Sequence, residues 1–163
     1  MPESQPFKNH YNASLMRDLA DRIADVYPTF PTEQAVAKVQ AQVEALELKG
    51  RVALIAEALR DGLPSHYPEA LSILLQVVGP ELAGDGGMFD EGWWLMPIGY
   101  FVEVYGVEDW GPSLEAIYII TQRYTGEFAI RPYLERYPEE TLSRLHQWTQ
   151  DPSAHVRRLV SEG

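Results

Sequence analysis

The run "DPSAHVRRLV" (residues 151–160) places a helix start, an apolar stripe and two arginines within three turns of chain. Asp151-Pro152 pairs a capping side chain with a proline suited to the first helical position. Val156, Leu159 and Val160 then follow at i, i+3 and i+4, which is one face of a short helix. Arg157 and Arg158 share those turns, and Glu162 stands four residues after Arg158. A helix this short is marginal in isolation, so its stripe must be buried against other helices.

The same period runs outward through the rest of the chain. Leu15, Leu19, Ile23 and Val26 form a stripe behind a cap at Asn12. Val36, Val39, Val43 and Leu46 form one behind Thr32, with Glu33 and Gln34 in the first turn. Leu48, Val52, Ile55, Ala56 and Leu59 make a third, stopped by Gly62 and Pro64. Leu71, Leu74, Leu75 and Val78 make a fourth, ended by Gly79-Pro80. Leu114, Ile117, Tyr118, Thr121 and Tyr124 follow, then Leu142, Leu145 and Trp148. No segment alternates as a half-buried strand does. The expected fold is all-α, and short helices with one apolar face each bury those faces by stacking as antiparallel pairs. Tyr-Pro breaks at 27–28 and 67–68 lie 40 residues apart, close to a HEAT-repeat period, although the third, at 137–138, breaks that spacing. Asp-Pro followed by Val-Arg resembles the second helix of a HEAT repeat, so an α-solenoid of HEAT-like pairs is preferred to a closed bundle. The glycine-rich stretch "LAGDGGMFDEG" (82–92) reads as a connection between helices. No strand precedes it and no Lys-Ser/Thr follows, as a phosphate-binding loop requires.

Composition narrows the function. The 163 residues are 45% hydrophobic, which suits one globular domain. Cysteine is absent, so disulfides and thiolate metal sites are excluded. The four histidines lack metal-ligand spacing, and no metal or cofactor is expected. The polar N-terminus is no secretory signal, and no run approaches the roughly 18 apolar residues of a membrane span, so a soluble cytoplasmic protein without membrane contact is expected. A monomer is the default, with the oligomeric state left open. The net charge of −11 argues against nucleic acid at first sight. Its distribution does not: residues 1–119 carry 7 basic and 18 acidic side chains, whereas residues 120–163 carry 6 of each. An anion can approach the C-terminal part.

Two segments hold acid and base at helical spacing. In "TGEFAIRPYL" (125–134), Glu127 and Arg131 are four apart, with Pro132 positioned to bend or restart the helix. In the closing run, Arg158 and Glu162 repeat the spacing. Taken by spacing alone, both are surface ion pairs. Trp93, Trp94, Tyr100 and Phe101 offer rings for base stacking, but Met96, Ile98 and Val102 beside them favour core packing. Trp110 and Trp148 read the same way. Lys49 and Arg51 suit either phosphate contact or an ion pair with Glu44 or Glu47.

Together, "LELKGR" (46–51), "TGEFAIRPYL" (125–134) and "HVRRLVSEG" (155–163) resemble the AlkC-type DNA alkylation repair family, over most of the chain. That family consists of HEAT-like-repeat DNA glycosylases, and the resemblance implies excision of N3-alkylated bases, 3-methyladenine and 3-methylcytosine, from double-stranded alkylated DNA. Alkylation makes the base cationic and weakens its glycosidic bond, and a carboxylate can stabilise the oxocarbenium-like sugar left behind or orient the attacking water. The resemblance assigns that role to Glu127 and Glu162. The DNA-contacting set expected with them is Arg131, His155, Arg157 and Arg158. It also implies that residues 1–163 form a single HEAT-like-repeat domain truncated at its C-terminus, with a further acidic residue and an aromatic one beyond Gly163. The alternative is a non-catalytic HEAT-type module that binds DNA or protein on a concave surface.

Overall fold

The computed structural model describes residues 6–80 and 92–162, the Glu162 side chain excepted. Among them are nine α-helices and no strand. In chain order they are α1 (Ala13–Val26), α2 (Thr32–Gln42), α3 (Leu48–Gly62), α4 (Tyr67–Leu75), α5 (Met96–Tyr105), α6 (Trp110–Thr121), α7 (Glu127–Arg136), α8 (Pro138–Trp148) and α9 (Ala154–Glu162). Three short 3-10 turns, Phe7–His10, Val43–Ala45 and Trp93–Leu95, join them. No helix among the described residues is long and apolar enough to cross a membrane. The glycine-rich connection expected at 82–92 lies outside the described residues, apart from Gly92.

The helices form two rows. Helices α1, α4, α6 and α9 touch in succession along one row, and α2, α3, α5 and α7 along the other. Contacts between α1 and α2, α4 and α5, α5 and α6, and α6 and α7 close the core between the rows, while α8 packs against α7 and α9. This is the all-α helical-repeat architecture that the periodicity predicts. Leu15, Leu19 and Ile23 of α1, Ile55 and Leu59 of α3, Leu74 of α4, Leu114 of α6 and Val156 of α9 are all buried, as their stripes require. Each such side chain contributes about 1.5–3 kcal/mol when removed from water.

Helix α5 carries no stripe in the sequence because it is apolar nearly all round. It contacts α3, α4, α6 and α7, and Pro97, Ile98, Phe101 and Val102 are buried. A helix surrounded by neighbours loses the polar face that makes a period visible. Its position is fixed by a buried polar junction. Tyr133 Oη donates to the Val102 carbonyl at 2.7 Å, Ser113 Oγ donates to the Gly106 carbonyl at 2.9 Å, and the Tyr67 and Ser113 hydroxyls are 2.8 Å apart. Burial pushes the Tyr67 phenol up to about 12, against the opposing pull of its Ser113 hydrogen bond. These neutral hydroxyls tie α4, α5, α6 and α7 together.

Several local expectations are corrected. Asn12 does cap α1, accepting from the Leu15 amide at 3.0 Å. Thr32, however, is the first residue of α2 rather than its cap, and Pro31 precedes it. Asp151-Pro152 does not start α9. Asp151 Oδ1 accepts from the Ser153 amide at 2.8 Å, Ser153 Oγ from Val156 at 3.4 Å, and the Ser153 carbonyl from Arg157 at 3.1 Å. Ser153 thus caps the helix, and Asp151 forms the turn before it. In α8 the inward position belongs to Thr141, whose hydroxyl donates to the Tyr133 carbonyl and accepts from Trp110 Nε1, leaving Leu142 58% exposed. Helix α7 runs unbroken through Pro132.

Candidate nucleic-acid site on the α3, α5 and α7 row

Glu127 is the first residue of α7, and its placement follows from the glycine before it. A Cβ on Gly126 would stand 2.5 Å from Thr121 Oγ1 and 3.1 Å from Ile117 Cγ2, so only glycine lets the chain turn this close to α6. The Glu127 amide donates to Thr125 Oγ1 at 3.3 Å, and the Gly126 carbonyl accepts from Ile130 at 3.0 Å. The carboxylate therefore sits half-buried at the positive end of a helix, a location worth about 0.3–1 kcal/mol in its own right. It lies near Tyr124, whose phenol is raised by burial and then by the Glu127 charge.

The ion pair expected between Glu127 and Arg131 does not form. The Arg131 guanidinium instead lies over the Phe128 ring, 4.8 Å from its centroid. No ion pair or hydrogen bond from the Glu127 carboxylate to another described residue takes its place. A carboxylate at a helix N-terminus without a cationic partner keeps its lone pairs for a ligand or water.

Beside it, a groove of about 510 Å³ opens between α3, α5 and the start of α7. Its walls are mostly apolar: Leu48 and Val52 from α3, Met96, Gly99 and Tyr100 from α5, and Tyr124, Phe128 and Ala129 at the far side. Phe128 is 54% exposed. Glu103 is half-buried in the wall, and burial raises its pKa, with the charges of Lys49 and Arg131 pulling it back down. Glu47, also in the wall, is held below the usual carboxylate range by the hydrogen bond from Lys8, 2.9 Å away, and the charge of that lysine. Glu103 is a residue that the sequence reading missed. The signal was present: it is the one charged side chain in "MPIGYFVEVYG" (96–106).

The remaining expected contacts divide. Arg51 is 5% exposed and donates to the Leu46, Lys8 and Tyr11 carbonyls, so it anchors the N-terminal turn to α3 and does not face a phosphate. Lys49 is exposed beside the groove. Arg157 folds back onto the Asp151 and Pro152 carbonyls at 2.6 and 3.0 Å. His155 is 2% exposed, and neither ring nitrogen has a partner among the described residues, so its imidazole does not reach the surface that DNA would meet. Arg158 is half-exposed on α9. Glu162 belongs to α9 by its backbone, but its side chain lies outside the described residues, and so does its expected pairing with Arg158. The rings near residue 93 are mostly structural: Phe101 is fully buried and Trp94 is covered by Arg22 at 4.3 Å, whereas Tyr100 lines the groove. No three acidic or histidine side chains among the described residues cluster to hold a metal.

No family model matches the chain. It is 34% identical over 157 residues to the uncharacterized protein YhaZ of Bacillus subtilis (strain 168), covering 96% of this chain and 42% of that protein. It superposes with a TM-score of 0.85 and 28% identity on the Pseudomonas fluorescens alkylpurine DNA glycosylase AlkC bound to DNA containing an abasic site analog. That match covers 99% of this chain and 43% of the other. The chain thus spans less than half the length of the relatives it matches, and over that span it shares the fold of the AlkC structure.

Proposed function

We propose that the chain forms part of a DNA glycosylase that releases N3-alkylated bases, 3-methyladenine and 3-methylcytosine, from duplex DNA. The observation that carries this reading is Glu127: a half-buried carboxylate at a helix N-terminus with no cationic partner among the described residues, in a chain that shares its fold with a DNA-bound alkylpurine glycosylase. The chemistry asks for little more. The bond from C1′ to the cationic base breaks, and the base leaves with the bonding electrons. Water then adds its oxygen to C1′ and gives up a proton, leaving an abasic site. Glu127 stabilises the positive sugar or holds the attacking water, and a preorganised charge of this kind is commonly the largest single contribution to rate. Glu162 is proposed as the second carboxylate on the resemblance of "HVRRLVSEG" alone. Arg158 and Arg131 are the proposed phosphate contacts, since Arg131 is exposed and Arg158 partly so. Arg157 contributes only if it leaves its two carbonyls. His155 is proposed no longer as a direct contact, being buried.

The non-catalytic alternative, a helical module that only binds DNA or protein, accounts equally well for the two-row fold. It leaves Glu127 unexplained. The discriminating assay incubates methylated duplex DNA with the protein as its reading frame encodes it and measures free methylated base. Release that depends on Glu127 supports the glycosylase, and retention of DNA with no base released supports the module.

A further inference from the structure

The groove between α3, α5 and α7 has two features that core packing does not explain. The first is Gly99, in the interior of α5, where glycine is among the least favourable residues a helix can hold. A Cβ built there meets nothing within 4 Å, so no neighbour demands the glycine. What its missing side chain does is leave the groove open. The second is Glu103, half-buried in an apolar wall with no hydrogen bond or ion pair to any described residue. A carboxyl group in such a place is costly unless something donates to it. The ordered volume of about 510 Å³ falls in the roughly 300–1,000 Å³ range of small-molecule sites, which combine apolar walls with few polar groups.

We propose that this groove binds a free planar base of the aminopurine class, with its face against Phe128 and Tyr100 and its amino N–H donated to the Glu103 carboxyl. A carboxyl group and an amino group beside a ring nitrogen match edge to edge in either protonation state. An ionised carboxylate accepts two N–H bonds from a protonated base, and a neutral acid accepts one and donates one to a neutral base. Burial raises the Glu103 pKa, and the charges of nearby Lys49 and Arg131 oppose that rise. The choice of ligand rests on the glycosylase reading, since a base leaving the site beside Glu127 has this groove as its neighbour. The groove itself does not depend on that reading.

The test titrates the chain with free 3-methyladenine by calorimetry, with N6,N6-dimethyladenine, which lacks the amino N–H, as the comparison. Saturable binding is expected, weakened at least tenfold by Glu103→Leu, which removes both the acceptor and the donor, and by Gly99→Leu, and weakened likewise for the dimethyl compound. Gly99→Leu fills the open space with a better helix former, so its thermal unfolding should match or exceed that of the parent. Absence of saturation, or equal affinity in both variants, overturns the proposal. Base release from methylated DNA is measured in parallel. Release without free-base binding overturns the groove proposal alone, and binding without release supports the groove while counting against the glycosylase.

Discussion

Glu103 and Glu127 are both carboxylates without partners among the described residues, yet their surroundings give them opposite costs. Glu127 sits at a helix N-terminus, where a negative charge is favourable. Glu103 sits in an apolar wall that raises its pKa. A carboxyl whose folded pKa lies above its unfolded value binds its proton more tightly when folded, so its ionisation costs stability as pH rises through the unfolded and then the folded pKa. Glu103→Gln should therefore leave the melting temperature at pH 7 unchanged or raise it, and any advantage should vanish below pH 4. Thermal unfolding at the two pH values checks this, and a lower melting temperature at pH 7 would give Glu103 a structural role instead. Glu127 is legible in the sequence because a specific run, Glu-Phe-Ala-Ile-Arg-Pro, carries it. Its freedom from Arg131 is not legible, since spacing fixes which residues share a face but not that a guanidinium prefers a ring three residues away over a carboxylate four away.

The elements were legible where burial is one-sided. Helices α1, α3 and α6 present a buried stripe and a wet face, and their periods predict them. Helix α5 is enclosed by four neighbours, so its sequence has no polar face from which to read a phase. The start of α9 moved because Asp, Pro and Ser in succession offer two capping solutions, and hydrogen-bond geometry selects Ser153. The element that matters most for the site is the Thr121–Glu127 turn, where Gly126 brings α7 against α6. Gly126→Ala should cost about 1–3 kcal/mol, as overpacked positions do, because its Cβ would stand 2.5 Å from a buried hydroxyl. Urea unfolding checks it. A variant as stable as the parent would mean that the turn relaxes freely and that Glu127 is not rigidly placed.

At the scale of the molecule, the net charge of −11 sets the electrostatic problem. Most arginines are committed: Arg17 to Glu33, Arg136 to Glu108, Arg51 and Arg157 to carbonyls, and Arg22 and Arg144 to tryptophan rings. Among the described residues Lys49 and Arg158 remain to meet phosphates, and Arg131, exposed although its guanidinium lies over the Phe128 ring, is the third. Duplex binding by this chain should accordingly be weak. Its logarithmic salt slope should be about −2 to −3, at roughly 0.9 per phosphate neutralised. Tight or salt-independent binding would contradict this use of the three cations. The central claim is that the α7 N-terminus does glycosidic chemistry, and release of 3-methyladenine from methylated duplex DNA by the encoded protein tests it most directly. Glu127→Gln should slow release by well over tenfold, more than about 1.4 kcal/mol of barrier, with little change in unfolding because glutamine is nearly isosteric. Release by Glu127→Gln at the parental rate would contradict the account.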